Sequence, residues 1–419
     1  LELNTSRAGQ GGALLTLQQE GRVLDALSYD TLHLRGEVSR PITLALADEA
    51  ALQREDNVLL TQIEGRFDLR IHLKRAAQRL DLRRLAALVL LPEQQESQLA
   101  LESVALEQTA KPSHPVAGLG FWVWRYQVAV VQSEKVLDAC QQAGCNRLLV
   151  QLPSLQDPAS LWQGYARFLA ASQARGIEAY ALDGEPEAIY DPAPLMNKVR
   201  RLGTLLAEGS WAGLQLDLEP YLLEGFVANE ATLLQYLAAI DRIQAVLPAK
   251  TRLSVVMPFW FTSLTVRGQP VAFAVADRAD EIAIMSYRTD LDELRIIAED
   301  MLRYGDLAGT PVWLSVETLS LPPERHLVLK PEPRRDRADA YLDRLAHRLV
   351  LAPLPANIEA RDGFRVHHRI EVQPERLTFA GHRRFRVWSA INTILTTVPN
   401  VSLAGILIHD FDAFLALPG

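Results

Sequence analysis

Cysteine is almost missing from this chain: Cys140 and Cys145 are the two in 419 residues, with four residues between them. Without further Cys or His at close spacing they do not make a structural zinc site, and two buried, reduced thiols are the expectation, with a disulfide as the alternative. Long apolar runs are also lacking. No stretch reaches the roughly 18 residues of a helical membrane span, so no integral membrane segment is expected. Positive charge is in deficit, 43 Lys and Arg against 51 Asp and Glu for a net charge of -8, and nucleic acid is a poor partner for such a chain. No strand is followed by G-x-G-x-x-G, and neither a phosphate loop nor a G-x-S-x-G elbow occurs, which leaves dinucleotide binding, nucleotide hydrolysis and acyl transfer without support. His367 and His368 have no Cys or acidic partner at ligand spacing, so neither a metal nor any other cofactor is expected. The first residue is Leu1 rather than Met, which raises the expectation of an exported protein, periplasmic or extracellular, with its leader removed.

What is present is the composition of a soluble globular protein, 48% hydrophobic and 22% charged, long enough for two domains or one large barrel with an appendage. Residues 1–110 read as short alternating segments such as "TLHLRGEV", "RPITLALAD" and "FDLRIHLK", the pattern of an all-β sandwich of the jelly-roll kind. Its last stretch, "LDLRRLAALVLLPEQQESQLALESVALEQ", resembles the closing strands of carbohydrate-binding-type jelly rolls. "KPSHPVAG", residues 111–118, reads as a linker.

From 119 to 419 apolar strands alternate with amphipathic helices. Eight strand candidates, from "FWVWRY" through "GLQLDLEPY" and "EIAIMSYRT" to "LAGILIHDF", predict an α/β fold, a (β/α)8 TIM barrel. The interval from strand seven to strand eight is too long for one crossover helix, so an insertion is expected at about 320–386, with a helix over "RADAYLDRLAHRLV" and a hairpin over "GFRVHHRIEVQPERLTF". Residues 321–386 hold 14 Lys and Arg against nine acids, an excess of five positive charges in an acidic protein. Such a loop shapes an active-site wall or forms a solvated basic surface.

Active sites of barrels lie at the carboxyl ends of the strands. Those ends carry Trp122, Trp124 and Arg125 on strand one, Asp183 and Glu185 on strand three, Asp217, Glu219 and Tyr221 on strand four, and Trp260 on strand five. Tyr287 and Arg288 follow on strand six, Glu317 on strand seven, and His409 and Asp410 on strand eight. Acids and aromatics in one mouth suit a saccharide, whose C–H faces stack on rings and whose glycosidic bond is cleaved by carboxyl groups. Period two puts Gln215, Asp217 and Glu219 on one inward face, where neighbouring carboxylates raise one another's pKa. An ordinary ion pair, Asp217 with Arg125, is the plain alternative.

"GLQLDLEPY" followed by "IAIMSYRTD" resembles the chitinase-like family 18 glycoside hydrolases, in which strand four carries D-x-x-D-x-D-x-E and strand six M-x-Y-D. Asp217 and Glu219 match the last Asp and the acid Glu; Met285 and Tyr287 match the Met and Tyr. The resemblance implies that Glu219 protonates the leaving oxygen, that Asp217 orients it or a reacting N-acetyl group, and that Tyr287 bonds the same group. Ala212 and Gln215 stand where that motif has its two earlier Asp, and Arg288 where it has Asp. A second likeness, to barrel glycosidases with catalytic Glu on strands four and seven, implies Glu317 as nucleophile or base. The expected function is therefore hydrolysis of a polysaccharide, amino-sugar-containing or anionic, with polysaccharide or oligosaccharide as partner. The alternative is a non-catalytic carbohydrate-binding or envelope-assembly protein with a degenerate barrel. Trp122, Trp124, Asp183, Glu185, Tyr221, Trp260, Arg288, His409 and Asp410 are the expected substrate contacts.

Overall fold

The structure is a computed structural model that describes residues 2–7, 12–19, 22–54, 57–92, 97–108, 117–206, 211–223, 229–343, 348–352 and 362–419. The expected linker lies outside these as far as residue 116. Residues before it are all-β in character, as the alternation predicts. Seven strands form one antiparallel sheet organised about the long strand Thr31–Asp48. That strand pairs along most of its length with Val58–His72, along its first half with Leu99–Glu107 and along its second half with Leu85–Pro92. Its alternate residues Leu32, Leu34 and Val38, then Ile42, Leu44 and Leu46, are buried, so its register is set by one apolar face.

The sheet region docks on the helical flank of the barrel. Arg83 pairs with Asp300 and donates to the Thr262 carbonyl, Gln269 donates to the Ala77 carbonyl, and Arg303 pairs with Asp25. None of these partners is one of the acids or aromatics at the strand ends. Apolar side chains of both regions belong to one contiguous core.

Eight parallel strands close the barrel: Gly118–Val123, Arg147–Gln151, Glu178–Asp183, Gly213–Leu216, Arg252–Pro258, Glu281–Met285, Val312–Glu317 and Leu403–His409. Each pairs in parallel with the next and the last with the first, the arrangement of a (β/α)8 barrel. Alternation divides their side chains. Trp122, Leu149, Tyr180, Leu182, Val256, Ala283, Trp313 and Leu407 fill the interior, while the residues between them pack under the helices. The fourth strand starts at a glycine because a Cβ on Gly213 would lie 2.3 Å from the Tyr180 ring.

Between the seventh and eighth strands the expected insertion is a four-stranded antiparallel sheet in the order Glu324–Pro331, Asp362–Val372, Ala340–Asp343, Arg348–Leu351. This corrects two expectations. Among the described residues of 337–350, which leave out 344–347, the apolar spacing does not make an α-helix: Ala340–Asp343 pairs with Arg348–Leu351 and with 362–364, burying Tyr341, so cross-strand pairing overrides local periodicity. Nor does 363–379 fold back on itself; it supplies most of the long strand Asp362–Val372, which lies between Glu324–Pro331 and Ala340–Asp343.

Cys140 and Cys145 form a disulfide, which corrects the expectation of reduced thiols. The helix Ser133–Gln142 ends in a turn with Gly144 at φ +70°, and the Cys145 N–H reaches back to the Cys140 carbonyl at 2.9 Å. That turn brings the two Cα atoms to 4.9 Å, within disulfide range. Among the described residues no helix is long and apolar enough to cross a membrane.

Candidate active site

Short as it is, the fourth barrel strand carries the inward face on which the site is built. Gln215, wholly buried, accepts from the Trp122 indole N–H at 2.5 Å and donates to Ser254 Oγ at 3.0 Å. It ties strands one, four and five together with a neutral amide where the family motif has a carboxyl. Two residues on, past the end of the strand, the Asp217 N–H continues the ladder to the Asp183 carbonyl at 3.0 Å. Gly184 is indispensable there, since a Cβ would stand 2.1 Å from the Asp217 carbonyl oxygen.

Asp217 keeps some residue exposure, yet its Oδ1 is buried with no hydrogen-bond partner among the described residues. Burial first, and the negative charge of Glu219 second, push its carboxyl up to about 7, against the opposing pull of His409. Glu219, half-buried, accepts a short hydrogen bond from the Tyr221 hydroxyl, which also approaches Met285 Sδ at 4.0 Å. Tyr221 lies edge-on to Trp260 with centroids 5.2 Å apart. Burial and then Glu219 hold its phenol far above the ordinary range, so it remains a donor.

Facing this pair across the mouth are Tyr287, Glu317 and His409. Tyr287 is held well above the usual phenol range by burial and then by the charges of Glu317, Asp217 and Glu219, so it too stays protonated. Glu317 is buried, and both its oxygens are engaged. Oε1 accepts from the Thr318 and Leu319 amides, each at 2.7 Å, and Oε2 faces His409 Nδ1 at 2.7 Å. His409 Nε2 accepts from the Trp124 indole N–H at 2.7 Å. That network assigns the imidazole a proton on Nδ1 and a lone pair on Nε2. Burial opposes protonation of His409, but the bond to Glu317 and the charges of Glu317, Asp410 and Asp217 raise its pKa overall. The rings of Trp122, Trp124 and Tyr287 lie 5.7, 5.9 and 6.0 Å from the imidazole.

Other expected residues stand outside this constellation. Asp183 occupies the outward face of strand three, where Lys198 Nζ lies 2.7 Å away and the Gly184 N–H 2.9 Å. Glu185 is exposed and 3.9 Å from the same lysine. With Glu187 and Asp191 they line a crevice of about 130 Å³ on the helix side. Asp410 caps the final helix Phe411–Ala416 through the Ala413 N–H at 2.7 Å. The His409–Asp410 peptide is cis. Arg288 stacks over Phe259 at 5.2 Å, donates to the Tyr287 carbonyl at 2.7 Å and lies 3.7 Å from Glu293, beside the base of the insertion. The plain ion pair is not formed: Arg125 bonds Asp412 at 2.7 Å, and among the described residues no Lys or Arg pairs with Asp217.

Three participants escaped the sequence reading. Ser254 and Ser315 are buried at inward positions, and Ser315 Oγ has no described partner; their place on the inward parity of strands five and seven was the available signal. Tyr236, on the helix Glu230–Gln244, has a buried hydroxyl without a described partner and feels the charges of Asp217 and Glu219. Nothing in its sequence context marks it. Among the described residues no three His, Cys, Asp or Glu side chains converge as a metal site.

No family model matches this chain, and no curated protein does. Solved structures are similar to it at low scores. A chitinase from Rhizomucor miehei is 14% identical over 70% of this chain and 95% of its own, with a TM-score of 0.38. A chitinase from Bacteroides thetaiotaomicron is 9% identical over 71% and 91%, at 0.40, and the Bacillus cereus spore cortex-lytic enzyme is 11% identical over 76% and 75%, at 0.38. Likenesses of that size do not bear on function. The barrel rests on its own strand pairing.

Proposed function

We propose that the protein hydrolyses a glycosidic bond in a polysaccharide, with Glu219 as general acid and Asp217 as its proton-sharing partner. The observation that carries this reading is the Asp217 carboxyl: buried, with no Lys or Arg paired to it and one oxygen unpartnered among the described residues, and beside a second carboxyl at the mouth. Asp217 still holds its proton near neutral pH and can pass it to the neighbouring carboxyl for delivery to a leaving oxygen. Glu219 is nearer the mouth and delivers the proton; Tyr221 orients it. Tyr287, kept protonated, donates a hydrogen bond to the sugar or to charge developing on it. Glu317, bonded to two amides and to His409, acts by fixing His409 and Trp124 in the opposite wall, and as nucleophile or base only after giving up one of those bonds. Trp124, Tyr221 and Trp260 supply ring faces and edges for the saccharide; Trp122, expected among the contacts, is instead buried in the barrel interior and bonded to Gln215, so it supports the site from beneath.

Two further parts belong to this reading. The all-β region supports or extends carbohydrate binding, and the Cys140–Cys145 disulfide favours an exported protein, because such bonds persist in oxidising compartments. A second reading, binding without turnover, is favoured by Gln215: its amide is spent on Trp122 and Ser254, so no carboxyl lies beneath Asp217 to relay a proton.

The test is hydrolysis of a panel of amino-sugar, uronic and neutral polysaccharides by the wild type and by Glu219→Gln. Loss of about 10²-fold to 10⁴-fold in kcat in the variant is expected, and wild-type activity should fall as pH rises through about 7, where Asp217 ionises. Equal rates for the two proteins would remove Glu219 from the mechanism. Binding by the wild type with no turnover on any member would establish the second reading.

A further inference from the structure

Away from the mouth, where the sheet region meets the barrel flank, a crevice of about 480 Å³ is lined by four arginines: Arg54 and Arg79 from the sheet region, Arg267 and Arg278 from the barrel. Four guanidinium groups in one crevice are unexpected in a chain of net charge -8. The lining contains one acid among the described residues, Asp277, and both its oxygens are occupied, by the Tyr304 hydroxyl at 2.6 Å and the Gln269 amide at 3.0 Å. Arg278 is balanced by Asp241 at 3.0 Å. No described side chain forms an ion pair with Arg54 or with the guanidinium of Arg267.

The backbone goes out of its way to build this cluster. Arg267 and Gly268 are the two central residues of the hairpin that joins Thr265–Val266 to Gln269–Pro270, with φ of +50° and +85°. Turns of that shape take Asn, Asp or Gly at both positions; an arginine there is strained. A Cβ at 268 would stand 2.4 Å from Arg54 Nη2, so the Arg54 guanidinium reaches the backbone of this turn. The turn therefore holds a strained cation and receives another against its backbone; the Glu230 carboxylate accepts the Arg267 backbone N–H at 3.1 Å, and no described side chain pairs with either guanidinium. Strain and like-charge proximity kept together point from structure to use.

We propose that this crevice binds an oxyanion carried on a sugar-sized organic body: a uronate, a sugar phosphate or a sugar sulfate. The guanidinium forks of Arg54 and Arg267 take the anionic group, as arginine does for planar or tetrahedral oxyanions. Leu234, Leu237 and Val266 supply an apolar side for the rest of the ligand, and the volume falls in the range of small-molecule sites. The inference does not depend on the role of Glu219.

Calorimetric titration of the full chain tests it, with galacturonic acid oligomers, glucose 6-phosphate, a sulfated glucosamine and neutral glucose oligomers as probes. At least one acidic probe should bind, more weakly as salt is raised, with the neutral oligomers at least tenfold weaker. Arg54→Gln combined with Arg267→Asn should weaken the acidic probe at least tenfold. Arg267→Asn alone separates this from a folding defect, because Asn accepts the positive φ: it should raise Tm while lowering affinity. Equal affinity in wild type and double variant, equal affinity for acidic and neutral probes, or no binding of any acidic probe would overturn the proposal.

Discussion

At the amino-terminal end of the barrel Arg147 lies between Glu178 and Glu281, each at 2.5 Å, and is sandwiched by Trp313 and Tyr180 with its guanidinium carbon 3.9 and 4.5 Å from the ring centroids. Arg252 adds a second cation on Glu178. At the carboxyl end, within the same tube of strands, Asp217 and Glu219 sit side by side, and among the described residues no Lys or Arg is bonded to either. The physical consequences are opposite. Below, burial works against Glu178 but the arginines outweigh it and hold its carboxyl under the ordinary range; above, burial and a like charge act together and lift Asp217 to about 7. Charge at the bottom is neutralised in place and closes the barrel, whereas charge at the mouth is left uncompensated, a condition that persists in folded proteins chiefly where a ligand or a reaction uses it.

Breaking the lower end should have the larger effect. Arg147→Ala strands Glu281 as an unpaired buried carboxylate and removes the stack between two rings, and loss of about 3 to 5 kcal/mol of stability is expected. Chemical denaturation at pH 7 measures it. A loss under about 1 kcal/mol would mean that the arginine cluster is not what closes the barrel.

The upper end should respond in the other direction, and only at high pH. In the unfolded chain the Asp217 carboxyl has its usual value of 3.8; in the folded protein it titrates at about 7. Between those two values the folded state holds a proton that the unfolded state has lost, so this group's contribution to stability falls as pH rises from about 4 to about 7 and stays at its lowest above that. Asp217→Asn removes the penalty. The variant should match the wild type near pH 4 and exceed it by up to roughly 4 kcal/mol at pH 8, while losing activity at both. A wild type whose stability does not depend on this residue at pH 8 would show that Asp217 is not held protonated.

Both ends could be foreseen in part. All eight barrel strands were legible because parallel strands buried on two faces leave apolar runs that glycine-ended helices separate, and "GLQLDLEPY" announced Asp217 and Glu219 by period two. The same rule, carried through, would have turned Asp183 away: with Tyr180 and Leu182 inward, residue 183 faces the helices and Lys198. Partners were harder. In sequence Glu317 reads as nucleophile or base, and the structure bonds it to His409, 92 residues distant in sequence, because strands seven and eight are neighbours only once the barrel closes. The failure over 337–350 has a related origin: its apolar spacing suits a helix, and while one partner of Ala340–Asp343 is the adjoining Arg348–Leu351, the other begins at residue 362, beyond the stretch, where no local pattern can announce it.

A finer test lies in the wall opposite Asp217, where Glu317, His409 and Trp124 form a chain whose protonation state can be read directly. Trp124 has only an N–H to offer, so its bond to His409 Nε2 requires the neutral imidazole. Glu317, Asp410 and Asp217 nevertheless raise the imidazole pKa above the usual 6.5, although burial opposes them. As pH falls through that raised value Nε2 gains a proton, two N–H groups then face each other, and the Trp124 bond must break. The ¹⁵N-labelled indole signal of Trp124, assigned by its disappearance in Trp124→Phe, should therefore shift with a midpoint above 6.5. Glu317→Gln should move that midpoint downward, since the amide keeps a hydrogen-bond acceptor but removes the charge. A wild-type midpoint at or below 6.5, or one that Glu317→Gln leaves unchanged, would mean that Glu317 holds the ring without tuning it, and the contrast between the barrel's two ends would then rest on Asp217 and Glu219 alone.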